Sequence, residues 1–397
     1  MNVDVAIIGA SSAGLYAAER LARAGRRVAI FERQVALAPA RRTYIITPQL
    51  HRLLGELPAE LILHRTPLID VHSTGAQAQI DLGDPDLIIE RRLLSDYLVA
   101  RAERSGALLA YDHRFLGMQP ARDGIELSLG RRDGSHVSVR ARAVIGADGV
   151  FSSVAVAAQL ARPPVVQIVQ AEVELPANWN PQVTRVRFDA SATRYFYWLI
   201  PESAERGVVG VVGDEPSQTH ELLKRFLGQQ GLRPLAYQAS HVAMYHPSLR
   251  PWGQIGSAPI WLVGDAAGHV KVTTVGGTVS GFYGAEAASQ ALLGLQSPQR
   301  ALRTVRRELD VHWWIRRALE RLDNPAYDRL ISAMTQPVQS FLQRWNRDEM
   351  ASAIWRLPFV RPQLLGLGLD MLRNHDSAPS PLRPSPLPAP KTNYMSD

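Results

Sequence analysis

Three short apolar runs in this chain each stop at a glycine-containing turn, and that repetition constrains the fold more than any other feature. Residues 3–8 lead into Gly9-Ala10-Ser11-Ser12-Ala13-Gly14, residues 143–145 into Gly146-Ala147-Asp148-Gly149, and residues 261–263 into Gly264-Asp265-Ala266-Ala267-Gly268. A brief apolar run stopped by glycine reads as a buried parallel strand, and residues 15–24, apolar at helical spacing, read as the helix that follows the first turn. Gly9 permits the tight turn and Gly14 lets the helix pack on the strand, so the unpaired N–H groups at the helix start can receive a pyrophosphate. Ser11 stands in place of the middle glycine of G-x-G-x-x-G and leaves less room for a phosphate, with Ser12 and Ala13 completing the turn. Residues 27–31 read as the second strand. Glu32, with Arg33 beside it, follows about twenty residues after the glycines, where a carboxylate binds ribose hydroxyls and repels a 2′-phosphate. Ligands of open α/β sheets bind beyond the carboxyl ends of strands, so these turns can close on one elongated dinucleotide, FAD or NAD in preference to NADP.

On these residues, over roughly 1–300, the chain resembles the flavoprotein superfamily that includes para-hydroxybenzoate hydroxylase and geranylgeranyl reductase. The resemblance implies FAD as cofactor. It makes Asp148 and Gly149, with Ser152, the central Asp-Gly motif that supports FAD and, in hydroxylases, the nicotinamide cofactor. It assigns Asp265, after Gly264, to the ribityl or ribose portion of FAD, and Arg91, at the start of a helix, to a further FAD contact. The stretch from Gly264 to Thr278 is similar to the geranylgeranyl reductase version of the third motif, in which threonines precede a glycine run beside the isoalloxazine. Two departures stand out: Val272 occupies a frequent proline position and Val275 replaces the first glycine of the run. Gly268 remains as a cofactor-binding position, and at Gly276, Gly277 and Gly281 the absence of side chains lets backbone N–H groups and a helix N-terminus approach the flavin and stabilise negative charge on it.

Phe196-Tyr197-Trp198-Leu199-Ile200-Pro201 is similar both to the Tyr-x-Trp-x-Phe-Pro motif of archaeal geranylgeranyl reductases and to a motif of flavin-dependent halogenases. Tyr197 and Trp198 are therefore candidates to face the flavin and an apolar substrate, or equally an aromatic strand packed in a core. Halogenases use a lysine in the N-terminal part of the chain, whereas the first lysine here is Lys224. The cysteine that geranylgeranyl reductases carry near the flavin is also missing, because the chain has none. Arg41 and Arg42 stand in that segment, either over the flavin or as a solvated basic turn. A proton donor other than a thiol is then needed. His269, directly after the third motif, is the leading candidate or else a hydrogen-bonding support, with Tyr195, Tyr197 and Lys271 behind it. No histidine set has metal-ligand spacing, so no metal is expected.

With 397 residues, 46% hydrophobic and 20% charged, the chain can bury a sizeable core. The fold expected is α/β, α+β overall. A Rossmann-like FAD-binding domain with a parallel sheet takes residues 1–60, 86–160 and 252–296. An antiparallel substrate lobe takes 61–85 and 161–251, a helical region 297–374, and a disordered Pro-rich tail 375–397. No apolar run is long enough to span a bilayer and no charged leader precedes the first strand, so a cytoplasmic protein is expected. The net charge of +7 is spread over scattered arginines. That pattern favours contact with a membrane periphery over nucleic acid, given the lipid-like substrates that the resemblance implies. The function expected is reduction of C=C bonds of an apolar isoprenoid substrate by hydride from reduced flavin, with NAD(P)H or ferredoxin as electron donor. The alternative is an NAD(P)H-dependent monooxygenase acting on an aromatic or polyketide-like substrate.

Overall fold

The computed structural model describes residues 1–37, 42–213, 216–345 and 347–356. Arg41 and the Pro-rich segment 375–397 lie outside them. Two eight-stranded sheets carry the molecule. In the first, Ala258–Leu262, His136–Gly146, Asn2–Ile8, Val28–Phe31 and Leu108–Ala110 run parallel in that order. Trp252–Ile255 adds an antiparallel edge, and the hairpin of Arg114–Ala121 and Gly124–Gly130 pairs with the first half of 136–146.

Burial on both faces explains why these strands are continuous apolar runs: the last four residues of Asn2–Ile8 and all of Val28–Phe31 are buried. One face is covered by the helices Ser12–Arg23, Arg91–Arg104 and Thr278–Leu292, which share a core containing Ile7, Ile145 and Trp261. The opposite face, with Ala6, Val144 and Ile260, is covered by the hairpin and the short helix Ser153–Ala157. Within the helical layer Tyr16 meets Phe282 at 5.0 Å between ring centres. Arg101 donates to both carboxylate oxygens of the buried Glu19, at 2.7 and 2.8 Å, so this pair is bidentate and ties 12–23 to 91–104.

The second sheet runs in the order Pro234–Ala243, Val165–Glu174, Arg206–Gly213, Tyr197–Pro201, Val183–Arg187, Ile62–His72, Gln77–Glu90 and Thr43–Ile46. It is antiparallel except where 183–187 runs beside 62–72. Gly207, Gly210 and Gly213 lie within one of its strands, as their spacing indicates. Helix Pro216–Gln229 covers one face, and the other face contributes Val166, Ile168, Phe196 and Met244 to the same core as the first sheet's helices. The described C-terminal residues form the helices Pro298–Ala301, Arg303–Leu319, Asn324–Ser332, Gln336–Arg344 and Met350–Ala353. They close over the junction of the sheets, where Arg347 makes two hydrogen bonds to the buried Asp86 at 2.7 and 2.9 Å.

Candidate active site

Strand register assembles the turns. Ile8 pairs with Phe31 on one side and Gly146 on the other, and Leu262 pairs with Gly146. The parallel strands therefore end level, and Gly9, Glu32, Ala147 and Val263, with Gly264 one residue on, follow side by side along one carboxyl edge. The approach is close enough to demand glycine. At Gly9 (φ +95°) an added Cβ would lie 2.6 Å from the Ala147 carbonyl oxygen, and at Gly14 it would lie 2.7 Å from Ala147 Cβ. Ser11 resolves its own departure from the glycine pattern. Its backbone is extended (φ −70°, ψ 161°) and its hydroxyl accepts the Gly14 N–H at 3.2 Å, so the side chain turns back to cap the helix. The N–H groups of Ser12 and Ala13 are left directed out of the helix end. Glu32 is fixed by accepting the N–H groups of Ala10 at 2.9 Å and Gln34 at 3.0 Å, with Arg33 exposed beside it.

The two aspartates divide in role. Asp148 accepts the Ser152 hydroxyl at 2.6 Å and the N–H groups of Ser153 and Val154 at 2.6 and 3.1 Å. Its carboxylate thus caps the 153–157 helix, and what it presents to the first turn is backbone, followed by the left-handed Gly149 (φ +83°). Asp265, by contrast, has no side-chain hydrogen bond or ion pair among the described residues. Burial raises its pKa, and Arg42 and Arg91 draw it back down. Those arginines are adjacent because the Arg91 N–H donates to the Arg42 carbonyl at 2.9 Å. Burial lowers the pKa of Arg42, whose guanidinium also donates to Ser240 at 3.1 Å.

The loop after Asp265 is drawn tight. Gly264 (φ +60°) abuts Ala13, and Gly268 (φ +68°) packs against Leu249 and Pro163. The Lys271 N–H donates to the Gly276 carbonyl at 3.0 Å, and Gly277 is the N-cap of Thr278–Leu292. A Cβ at Gly277 would lie 3.5 Å from Asp265 Oδ1, so this carboxylate sits beside the helix start. Val275, standing at a glycine position of the pattern, adopts φ +54° and so keeps the conformation that glycine prefers.

The proposed proton donors and aromatic residues separate on inspection. His269 is 3% exposed, and its ring keys against Gly284 in the 278–292 helix, where a Cβ would collide with Nδ1. Burial lowers its pKa to about 4, which favours the neutral ring, and Nδ1 has no partner among the described residues. Tyr197 faces away from the turns: it stacks on Phe226 at 4.3 Å and lines a cavity of about 430 Å³ on the far side of the second sheet. Trp198, one residue on, takes the opposite face, as strand alternation requires. It lies over Gly210, meets Phe196 at 6.1 Å, and packs on the core that includes Val270, Val272 and Val275. Tyr195 is buried under the Arg316 guanidinium, 4.5 Å from its ring centre. Lys271 pairs with Asp348, which also accepts the Thr47 hydroxyl. Both side chains are buried, at 6% and 3% exposed. Burial pushes the Asp348 pKa up, but Lys271 and Thr47 hold it below the ordinary value.

A flavin dinucleotide fits this arrangement. Glycines clear its path across the strand ends, two helix N-termini and Asp265 border it, and the buried Thr274 hydroxyl beside Gly276 has no partner among the described residues. Residues 2–281 match the family described as FAD binding domain. The chain belongs to this family. The flavoprotein is 30% identical over 295 residues to digeranylgeranylglycerophospholipid reductase 1 of Methanopyrus kandleri, covering 70% of this chain and 76% of the relative. Its fold matches a geranylgeranyl bacteriochlorophyll reductase-like protein of Thermoplasma acidophilum with a TM-score of 0.76 at 18% identity, over 92% of this chain and 99% of the other. It also matches the p-nitrophenol 4-monooxygenase of Pseudomonas putida with a TM-score of 0.63 at 17% identity, over 94% and 98%. This places the flavoprotein among FAD-dependent oxidoreductases of geranylgeranyl reductase type.

Sequence reasoning missed Asp348, the partner of Lys271, and Thr47, which donates to Asp348, both from segments remote along the chain. No local pattern marks either.

Three outcomes follow from this geometry. Asp265→Ala should purify folded but without yellow colour; a variant with full flavin absorbance contradicts the role of Asp265. Val275→Gly should raise the unfolding free energy by about 1 kcal/mol, because a β-branched residue is strained in the left-handed region. An unchanged or lower denaturation midpoint contradicts that strain. For His269, the folded pKa of about 4 lies below the ordinary 6.5, so the unfolded chain takes up a proton that the folded one refuses. Stability is therefore lost as pH falls through that window, by on the order of 3 kcal/mol in full. His269→Asn should flatten the fall in urea midpoint between those pH values, and an equally steep fall contradicts the account.

Proposed function

We propose that this flavoprotein reduces C=C bonds in the polyprenyl chains of an isoprenoid lipid. The observation that carries the reading is its 30% identity, across 76% of the relative, to a digeranylgeranylglycerophospholipid reductase. The likeness to the monooxygenase speaks for the fold alone. Reduced FAD, when bound, supplies the hydride to one alkene carbon, and a proton must reach the other to leave a saturated bond and oxidised cofactor.

Each part of the chain has a task in this scheme. Glu32, Arg42, Arg91, Asp265 and the turns at 9–14 and 276–277 hold the dinucleotide. Trp198, half-buried and backed by the buried Phe196, offers an apolar aromatic surface to a chain that carries no polar handle. Lys271 holds the proton. Its Cε lies 3.9 Å from the Cβ position of Gly276, beside the glycine run. Asp348 pairs with it where both side chains are buried, and the thiol found in relatives of this type is missing because the chain has no cysteine. Electrons arrive from NAD(P)H docking transiently or from ferredoxin.

The test is anaerobic mixing of the dithionite-reduced holoprotein with a geranylgeranylated glycerophospholipid in detergent, followed by mass spectrometry. Flavin reoxidation matched by gain of one H₂ per double bond is expected. Unchanged lipid, or substrate-stimulated oxygen consumption with hydroxylated product, overturns the reading. Lys271→Arg keeps the ion pair but replaces an exchangeable ammonium with a group that does not deprotonate. It should bind FAD normally and slow alkene reduction on the order of 10²-fold. Full-speed reduction removes Lys271 from the proton path.

A further inference from the structure

Helix Arg303–Leu319 forms a roof above the flavin loop, and its two faces differ in kind. Inward, Leu309, His312 and Arg316 are buried. His312 meets the Thr273 hydroxyl at 2.5 Å and the Arg347 carbonyl at 2.9 Å, and Arg316 lies over Tyr195. Outward, Arg303, Arg307 and Trp314 are exposed at i, i+4 and i+11 spacing, along one stripe. Trp314 is 67% exposed, the second most exposed of the large apolar side chains in the described residues, and it meets Trp313 edge-on at 4.8 Å.

The charges on this helix are sorted as well. Its acidic side chains are turned to protein partners: Glu308 accepts the N–H groups of Met350 and Ala351 at 2.7 and 2.9 Å, and Asp310 accepts the Tyr245 hydroxyl at 2.6 Å. At the helix end Glu320 accepts from Arg316 and Arg317. Arg303 and Arg307 have no hydrogen bond or ion pair among the described residues. The outer stripe therefore combines an exposed indole with uncompensated positive charge, on a protein of net charge +7. Indoles favour the headgroup level of a bilayer and guanidinium groups favour anionic lipid.

We infer that the outer face of this helix docks on an anionic membrane surface, bringing the flavin loop within about one helix diameter, 10–12 Å, of the lipid headgroups. No helix among the described residues is long and apolar enough to cross a membrane, and surface docking requires none. A nucleic acid would use the two arginines but has no comparable need for an indole pair backed by the roof of an apolar site. The choice of a lipid partner rests on the proposed lipid substrate.

The test is flotation of the full-length holoprotein with phosphatidylcholine vesicles, with and without phosphatidylglycerol. Binding is expected only to the anionic vesicles. Arg303→Gln with Arg307→Gln should weaken it about 30-fold, from about a factor of five per arginine. Trp314→Ser should weaken it several-fold and remove most of the tryptophan quenching by brominated lipid. None of these substitutions touches the flavin site, so bound FAD and the reduction of detergent-dispersed lipid should stay at wild-type level. Equal binding by wild type and variants, equal binding to neutral vesicles, or retention of single-stranded DNA in place of vesicles overturns the inference. A protein that reduces dispersed lipid yet ignores vesicles defeats the docking surface alone. One that binds vesicles through this stripe but reduces nothing defeats only the proposed reaction.

Discussion

Ala147 sits where the first turn would otherwise place two methyl groups. The contact of its carbonyl with Gly9 and of its side chain with Gly14 brings the 9–14 turn and the 146–149 turn into direct touch. Gly264 and Gly281 extend the same closeness to Ala13, so the starts of helices 12–23 and 278–292 converge at one place. Everything else in the site is arranged around that convergence. Two helix N-termini and Asp265 meet there because no side chain intervenes, and the dinucleotide-binding geometry is a consequence of close backbone packing as much as of any polar residue.

A second constraint is electrostatic. The glycine run is closed on its far side by segments remote in sequence: Lys271 and Thr47 both donate to Asp348, His312 meets Thr273, and Arg347 meets Asp86. Such a buried polar cluster is costly unless each member is paired. Among the described residues Lys271 is paired with Asp348 and Arg347 with Asp86, and these contacts tie the loop to the segments around it. It also couples the roof helix to the flavin loop, so a ligand at the loop and a surface against the roof are separated by a single layer of structure.

Much of this was legible in the sequence, for definite reasons. Strands buried on both faces announce themselves as uninterrupted apolar runs, and glycines with acid at their ends mark the carboxyl edge, so the parallel sheet and its turns could be located from residues alone. Ser11 was harder to read, because a hydroxyl in place of glycine either blocks a phosphate or caps a helix, and only the backbone angle decides. For His269, adjacency to the third motif says nothing about which way the ring turns; Gly284, fifteen residues later, leaves the space that receives it. Tyr197 and Trp198 could not both face the site, since neighbours on a strand point to opposite sides. Asp348, the partner of Lys271, carries no local signal at all. Val275 is the converse case: the glycine is gone, yet the loop retains its conformation at the expense of strain.

The central claim is that turns from three separate strands grip one dinucleotide along its whole length. Calorimetric titration of the apoprotein with FAD and with FMN tests it most directly, because FMN lacks the adenosine half that this proposal assigns to Glu32 and the first turn. Stoichiometric binding of FAD with little or no binding of FMN is the result this account requires. Equal affinity for the two, or no heat with either, would contradict it.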